Sequence, residues 1–221
     1  FWVAIPSHWY NQYQRGDRVT ILSNNETSFR IEAQDYNYEG IVSPGNSSDV
    51  LLPWYLTEQG AADNVLDKGI HITSDLPISV VVYNAGPNAD EKLVEFGQDW
   101  PQIGNDAYLA LPVKSLGKSY LALSYLHPLD DALATASIIT LAVEDNTLVD
   151  LVFPNGETKQ CALNRGQIYV REQPLGFDGV RDFTGTRITA NKLVAVFTSV
   201  PFAFVPSQSV WAGDMAMEQM F

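Results

Sequence analysis

The side chains best equipped for chemistry are few: three histidines, His8, His71 and His127, and a single cysteine, Cys161. Nucleophilic catalysis needs a serine or cysteine within reach of an imidazole that a carboxylate orients. None of the histidines stands in such a frame, and no Gly-x-Ser-x-Gly elbow occurs. The nearest approach, His127-Pro128-Leu129-Asp130-Asp131, reads as a solvated turn because its proline and paired aspartates favour one. His71 alternates with Ile70 and Ile72 in a short strand, as a surface or hydrogen-bonded histidine would. Cys161 sits between Thr158-Lys159-Gln160 and Ala162-Leu163, where a lone thiol packs as a small apolar group. Catalysis is not expected.

Cofactor and metal chemistry have no better support. There is no Cys-x-x-Cys, His-x-x-x-His or Asp-x-Asp-x-Asp-Gly pattern, and the carboxylate pairs Asp130/Asp131, Glu144/Asp145 and Asp90/Glu91 read as charged turns. Arg15-Gly16-Asp17 spells an integrin tripeptide but reads as a turn, with Gly16 supplying the permissive backbone. Asn25-Glu26-Thr27 and Asn46-Ser47-Ser48 are N-glycosylation sequons in polar turns, Asn46 being the better placed. Recognition is better served. Of the aromatic residues Phe1, Trp2, Trp9, Tyr10, Tyr13, Tyr36, Tyr38, Trp54 and Tyr55, core packing is expected of Phe1, Trp2 and Trp54. Trp9, Tyr10 and Tyr13 are left as a recognition edge.

The elements that must position these groups are strands. Short runs rich in Val, Ile, Thr, Tyr and Phe recur between Gly, Pro, Asn and Asp, for example residues 18–22, 28–32, 70–73, 78–83, 137–143, 148–153, 167–171 and 193–198. Helices are expected only at 133–136 and 214–220. With 13 Lys and Arg against 26 Asp and Glu the net charge is −13, which disfavours nucleic acid. The chain is 46% hydrophobic, enough for a real core. No window approaches the roughly 18 apolar residues needed to span a bilayer, and one cysteine cannot make an intrachain disulfide.

The two halves echo each other. Gly69-Ile-His-Ile-Thr-Ser-Asp-Leu-Pro-Ile-Ser-Val-Val is answered by Gly185-Thr-Arg-Ile-Thr-Ala-Asn-Lys-Leu-Val-Ala-Val-Phe, with a Ser74–Pro77 turn matched by Ala190–Leu193. Ala4-Ile5-Pro6 answers Ala110-Leu111-Pro112, and residues 21–31 answer 141–151. The expectation is all-β: a tandem pair of internally duplicated antiparallel β-sandwich domains, residues 1–103 and 104–221. They join through the Gly- and Pro-bearing stretch 97–105, and residues 125–136 form an inserted loop. The apolar ends, Phe1-Trp2 and Met220-Phe221, suggest a segment of a larger polypeptide.

Several of these blocks resemble the N-terminal domain of the IgG Fc-binding protein family. They are Phe1-Trp2-Val3-Ala4-Ile5-Pro6, the block 70–80, Ala107-Tyr108-Leu109-Ala110-Leu111-Pro112, Leu163-Asn164-Arg165-Gly166-Gln167, Asp182-Phe183-Thr184-Gly185-Thr186-Arg187-Ile188 and Glu218-Gln219. The resemblance covers nearly the whole chain. It implies a β-rich, non-catalytic module of secreted or surface proteins, with a protein or glycoprotein partner or self-assembly, no cofactor and no metal. The antibody ligand behind the family name is not carried over. The alternative is a carbohydrate-recognising module that uses the Trp9, Tyr10 and Tyr13 edge.

Overall fold

The computed structural model describes residues 1–7, 16–57, 63–85, 105–125, 136–172, 182–204 and 213–221. In the first half these form β1 (Trp2–Val3), β2 (Arg18–Leu22), β3 (Thr27–Ala33), β4 (Tyr36–Val42), β5 (Ser47–Leu51), the one-turn helix α1 (Trp54–Thr57), β6 (Asn64–Leu66), β7 (Ile70–Ser74) and β8 (Ser79–Asn84). Then come β9 (Asp106–Leu109), β10 (Gly117–Leu121), β11 (Ser137–Ala142), β12 (Thr147–Val152), β13 (Thr158–Leu163), β14 (Ile168–Glu172), β15 (Arg187–Phe204) and β16 (Gly213–Gln219). The architecture is all-β, and the strand pairings are antiparallel.

Among the described residues the strands form three sheets. One has the order β1-β7-β3-β4 and another β5-β2-β8-β9; the third runs β13-β12-β15-β11-β14-β6, with β10 and β16 also pairing β15. Period-2 alternation explains most strands. In β3, Thr27, Phe29, Ile31 and Ala33 are buried while Ser28 and Arg30 are exposed, and β12 repeats the pattern with Thr147, Val149 and Leu151 inward. β11 breaks it, because all six of its residues are buried. Ile139 and Leu141 join a core that includes Ile21, Ile31, Ile72 and Val80 of the first half, whereas Ile138 and Ala142 join a second core with Val149, Leu151 and Ile188. An apolar run with no alternation, Ser137-Ile-Ile-Thr-Leu-Ala142, is what a strand covered on both faces requires. Each such large side chain contributes about 1.5–3 kcal/mol by leaving water.

Local expectations fail in three places. Residues 190–193 form no turn: β15 is continuous for 18 residues and changes partner instead, with Arg187–Ala190 on β12 and Val194–Ser199 on β11. Asn191 and Lys192 hold the crossover, the Asn191 Oδ1 accepting the Leu148 N–H at 2.8 Å and the Lys192 Nζ donating to the Asp145 carbonyl at 2.6 Å. In the first half Pro77 has no N–H to offer a ladder, and β7 and β8 are separate strands. Residues 214–220 are strand rather than helix, since Met215 and Met217 are buried on either side of a less buried Ala216. Finally, the Ala110 N–H donates to the Val80 carbonyl at 2.8 Å, so Ala110 continues the β9 ladder, whereas Ala4 follows β1.

Candidate binding surface

Trp54, expected in the core, is 60% exposed. α1 has one turn and buries Leu56 and Thr57, so Trp54 is left facing water. Its ring lies 6.4 Å from Tyr55, edge-on at 84°. Beyond Tyr55 come two tyrosines at the sheet edge: Tyr38 tilts against Phe29 at 6.0 Å, and Tyr36 donates its hydroxyl to the Leu51 carbonyl at 3.5 Å. Leu51 is itself 63% exposed. Burial raises the Tyr36 phenol, and the neighbouring Tyr38 and Tyr55 add to the rise, so Tyr36 keeps its hydroxyl proton for the hydrogen bond to Leu51. Aromatic rings with one apolar face and a polar tip, held by a sheet, suit protein contact.

A charged groove lies on the opposite face of the β3–β4 ladder from Tyr36 and Tyr38. It holds about 580 Å³ and is lined by Ser28, Arg30 and Glu32 of β3, Glu39 and Ile41 of β4, and Thr73 and Asp75 at the end of β7. Arg30 donates to Glu39 and stands 3.6 Å from Glu32, while Ser28 donates to Asp75. Glu32 also lies 3.6 Å from His71 Nδ1. His71 stacks on Trp2 with centroids 4.3 Å apart at 20°, and the Arg165 guanidinium sits 5.5 Å over the same indole. Burial, aided by the Arg165 charge, lowers the His71 imidazole. His71 is thus held as a packing group would be, by ring stacking on Trp2 and a carboxylate contact to Glu32.

A second polar cluster joins the halves. The Tyr169 hydroxyl donates to Asp63 at 2.5 Å, Lys159 Nζ lies 3.0 Å and Arg171 3.6 Å from the same carboxylate, and Arg171 also pairs with Glu157 at 2.8 Å. Burial pushes the Asp63 carboxyl up, but the hydrogen bonds from Tyr169 and Lys159 and the two cationic charges outweigh it and hold it low. Asp63 immediately precedes β6, which pairs with β14, so this cluster clamps a first-half strand to the second-half sheet.

Trp9, Tyr10 and Tyr13, like His8, His127, Asp130 and Asp131, lie outside the described residues. Asn25 and Asn46 are both exposed, Asn46 in a turn closed by its N–H to the Ser43 carbonyl at 3.1 Å. Asp17 is fully buried and its Oδ1 accepts the Ala85 N–H at 3.0 Å, so it is not displayed as an integrin ligand needs. Cys161 is free and buried, and burial pushes its thiol up to about 11. Among the described residues no group of three or more His, Cys, Asp or Glu could hold a metal ion, and no helix is long and apolar enough to cross a membrane. Sequence reasoning missed the groove. The signal was present in the outward positions Ser28, Arg30, Glu32 and Asn37, Glu39, Ile41, which alternate with the core residues.

The family model described as IgGFc binding protein matches residues 106–221. Comparison with curated proteins gives no match. Among solved structures, the crystal structure of vicilin from Corylus avellana (hazelnut) is similar at 10% identity over 91% of this chain and 71% of that chain. Its TM-score of 0.26 is too low to carry an argument.

Proposed function

This chain belongs to the IgG Fc-binding protein family, and from that premise we propose that it is a non-catalytic extracellular module whose work is to bind a protein or glycoprotein partner. The family is one of binding domains and is typically extracellular. The observation that carries the reading is the exposed Trp54, which stands on α1 against Tyr55, with Tyr36 and Tyr38 of the β4 edge beyond. Tryptophan and tyrosine are among the residues enriched at the energetic centres of protein interfaces.

The proposed framework is the internal duplication, with repeats at 1–103 and 104–221. Strand order supports the duplication itself: β4-β3-β7-β1 is matched by β13-β12-β15-β10, and β5-β2-β8-β9 by β14-β11-β15-β16, with β9, at Asp106–Leu109, reaching across the 103/104 boundary to complete the first repeat's sheet. Register supports it too, since Ile31 faces Ile72 as Leu151 faces Ile188, and Val19 faces Val50 as Ile139 faces Val170. Val80 is matched by Ala195 through its β2-side neighbour but by Val196 through its β9-side neighbour, a one-residue slip across the strand.

The test is binding to immobilised IgG Fc and to a glycan array, with wild type and Trp54→Ala compared. The expected result is protein binding weakened by about 2 kcal/mol, roughly thirtyfold, in the variant. Unchanged affinity for every protein bound by wild type would remove Trp54 from the site, and binding to glycans alone would favour the carbohydrate reading.

A further inference from the structure

Resting on the reading of this chain as a protein-binding module, we propose that the partner engages it by strand addition: an extended segment with alternating basic residues pairs with the open edge of β4 and lays its basic side chains into the adjoining groove.

The backbone directions follow from the ladder. Phe1 and Ile72 exchange both hydrogen bonds, at 2.8 and 3.0 Å, so the Ile72 backbone faces β1. By alternation, His71 and Thr73 turn their backbone to β3, where they face Glu32 and Arg30, and the Asp75 N–H donating to the Ser28 carbonyl continues the series. Ser28, Arg30 and Glu32 therefore bond β7, while Phe29 and Ile31 bond Gly40 and Tyr38 of β4. That leaves the N–H and C=O groups of Asn37, Glu39 and Ile41 pointing away from the sheet, and β4 ends its sheet among the described residues.

Natural edges are usually blunted by lysine, proline, shortness or a cover. β4 is seven residues long and has neither lysine nor proline. Its one charge, Glu39, is neutralised by Arg30, and Ile41 stands 68% exposed beside the groove. Glu32, Glu39 and Asp75 set three carboxylates against the single guanidinium of Arg30, on a chain of net charge −13. A second copy of this chain would meet that charge as repulsion; a basic segment would meet it as attraction. Main-chain bonds would supply the affinity and the groove the choice of side chain.

The experiment titrates short synthetic peptides into isotope-labelled protein: a lysine–valine alternating peptide, its glutamate–valine counterpart, and the lysine–valine peptide with alternate amides N-methylated. The expected result is amide shifts at Asn37, Glu39 and Ile41 with the basic peptide, and affinity at least about tenfold weaker for the other two. Ile41→Pro, which removes an outward N–H, should abolish binding, while Leu121→Ala, at an exposed position on β10, should leave this peptide's affinity unchanged. Equal affinity for all three peptides, shifts confined to other strands, or β4 shifts that appear only with self-association would overturn the proposal. If Ile41→Pro does not fold, the N-methylated peptide still decides the matter. Loss of protein binding in Trp54→Ala with no peptide shifts at β4 would leave the module reading intact and sink strand addition alone.

Discussion

The β3–β4 ladder and the β12–β13 ladder are built alike and finished differently. In the first, the inward pairs are Thr27 with Val42, Phe29 with Gly40 and Ile31 with Tyr38; in the second they are Thr147 with Leu163, Val149 with Cys161 and Leu151 with Lys159. Where one ladder sets a large ring against no side chain, the other sets two of middle size. Both solutions fill the same kind of space, as close packing demands. The last pair separates them functionally. Lys159 is tied to Asp63 and so closes its edge with an ion pair, whereas Tyr38 leaves its edge aromatic and open. Two edges of one architecture thus divide the work, one clamping the halves together and one facing outward.

The largest expected effect tests whether the two ladders belong to one cooperative unit. Leu141 is fully buried on β11, the strand between the two cores, and packs into the first of them. Leu141→Ala should cost about 2–5 kcal/mol and shift denaturation as a single transition seen by every probe. Two separate transitions would show that the halves melt independently. Leu22→Ala, at a position 38% exposed, is the control and should cost far less.

Next comes the Phe29–Gly40 pair. A Cβ built on Gly40 would lie 2.5 Å from the tip of the Phe29 ring. Gly40→Ala should therefore cost about 1–3 kcal/mol by overpacking, and Phe29→Leu in the same chain should recover part of it. A denaturant double-mutant cycle measures the coupling. Strict additivity would mean that the ring moves aside freely and that the large-with-small pairing carries no packing constraint.

The Asp63 clamp follows. Asp63→Ala leaves the buried Tyr169 hydroxyl without its acceptor and should cost about 1–3 kcal/mol; Asp63→Asn keeps an acceptor and should cost less. Because the folded-state pKa of Asp63 is depressed, its ionic contribution is present above the unfolded value and is lost as pH falls through the folded one. The carboxylate is partly exposed, so that contribution is under about 1 kcal/mol. Melting temperature measured from neutral to strongly acidic pH should show a steeper acid loss in wild type than in Asp63→Asn. Parallel curves would contradict the ionic account.

What could be read in the sequence and what could not divide along physical lines. Half-buried strands such as Thr27–Ala33 announce themselves by period 2, and the all-β class and the family were legible from them and from the blocks around Gly69 and Gly185. Residues 214–220 misled because Met, Ala, Glu and Gln are good helix formers, and only the neighbouring β15 turns their alternation into a strand. Trp54 misled because its size argues for the core, whereas a one-turn helix buries only the side chains that point inward, here Leu56 and Thr57. The open edge of β4 depends on which strand stops a sheet, a property of topology that no single segment encodes. The edge expected at Trp9, Tyr10 and Tyr13 lies outside the described residues.

The smallest expected effect concerns Cys161, the counterpart across its ladder of Val149. Burial raises its thiol to about 11, and the nearby Lys159 charge offsets this only in part. At pH 8 the thiolate is then about one part in a thousand, against roughly a quarter for an unperturbed thiol. Since the thiolate is the attacking species, a thiol reagent should label the folded chain at least about a hundredfold more slowly than the unfolded one. Cys161→Ala removes only a small side chain, and should cost under about 1.5 kcal/mol, less than Gly40→Ala despite being the more drastic change of chemistry. Rapid labelling of the folded protein at pH 8 would show that the thiol reaches water, and would dissolve the parallel between the Phe29–Gly40 and Val149–Cys161 pairs as fillings of corresponding places in the two cores.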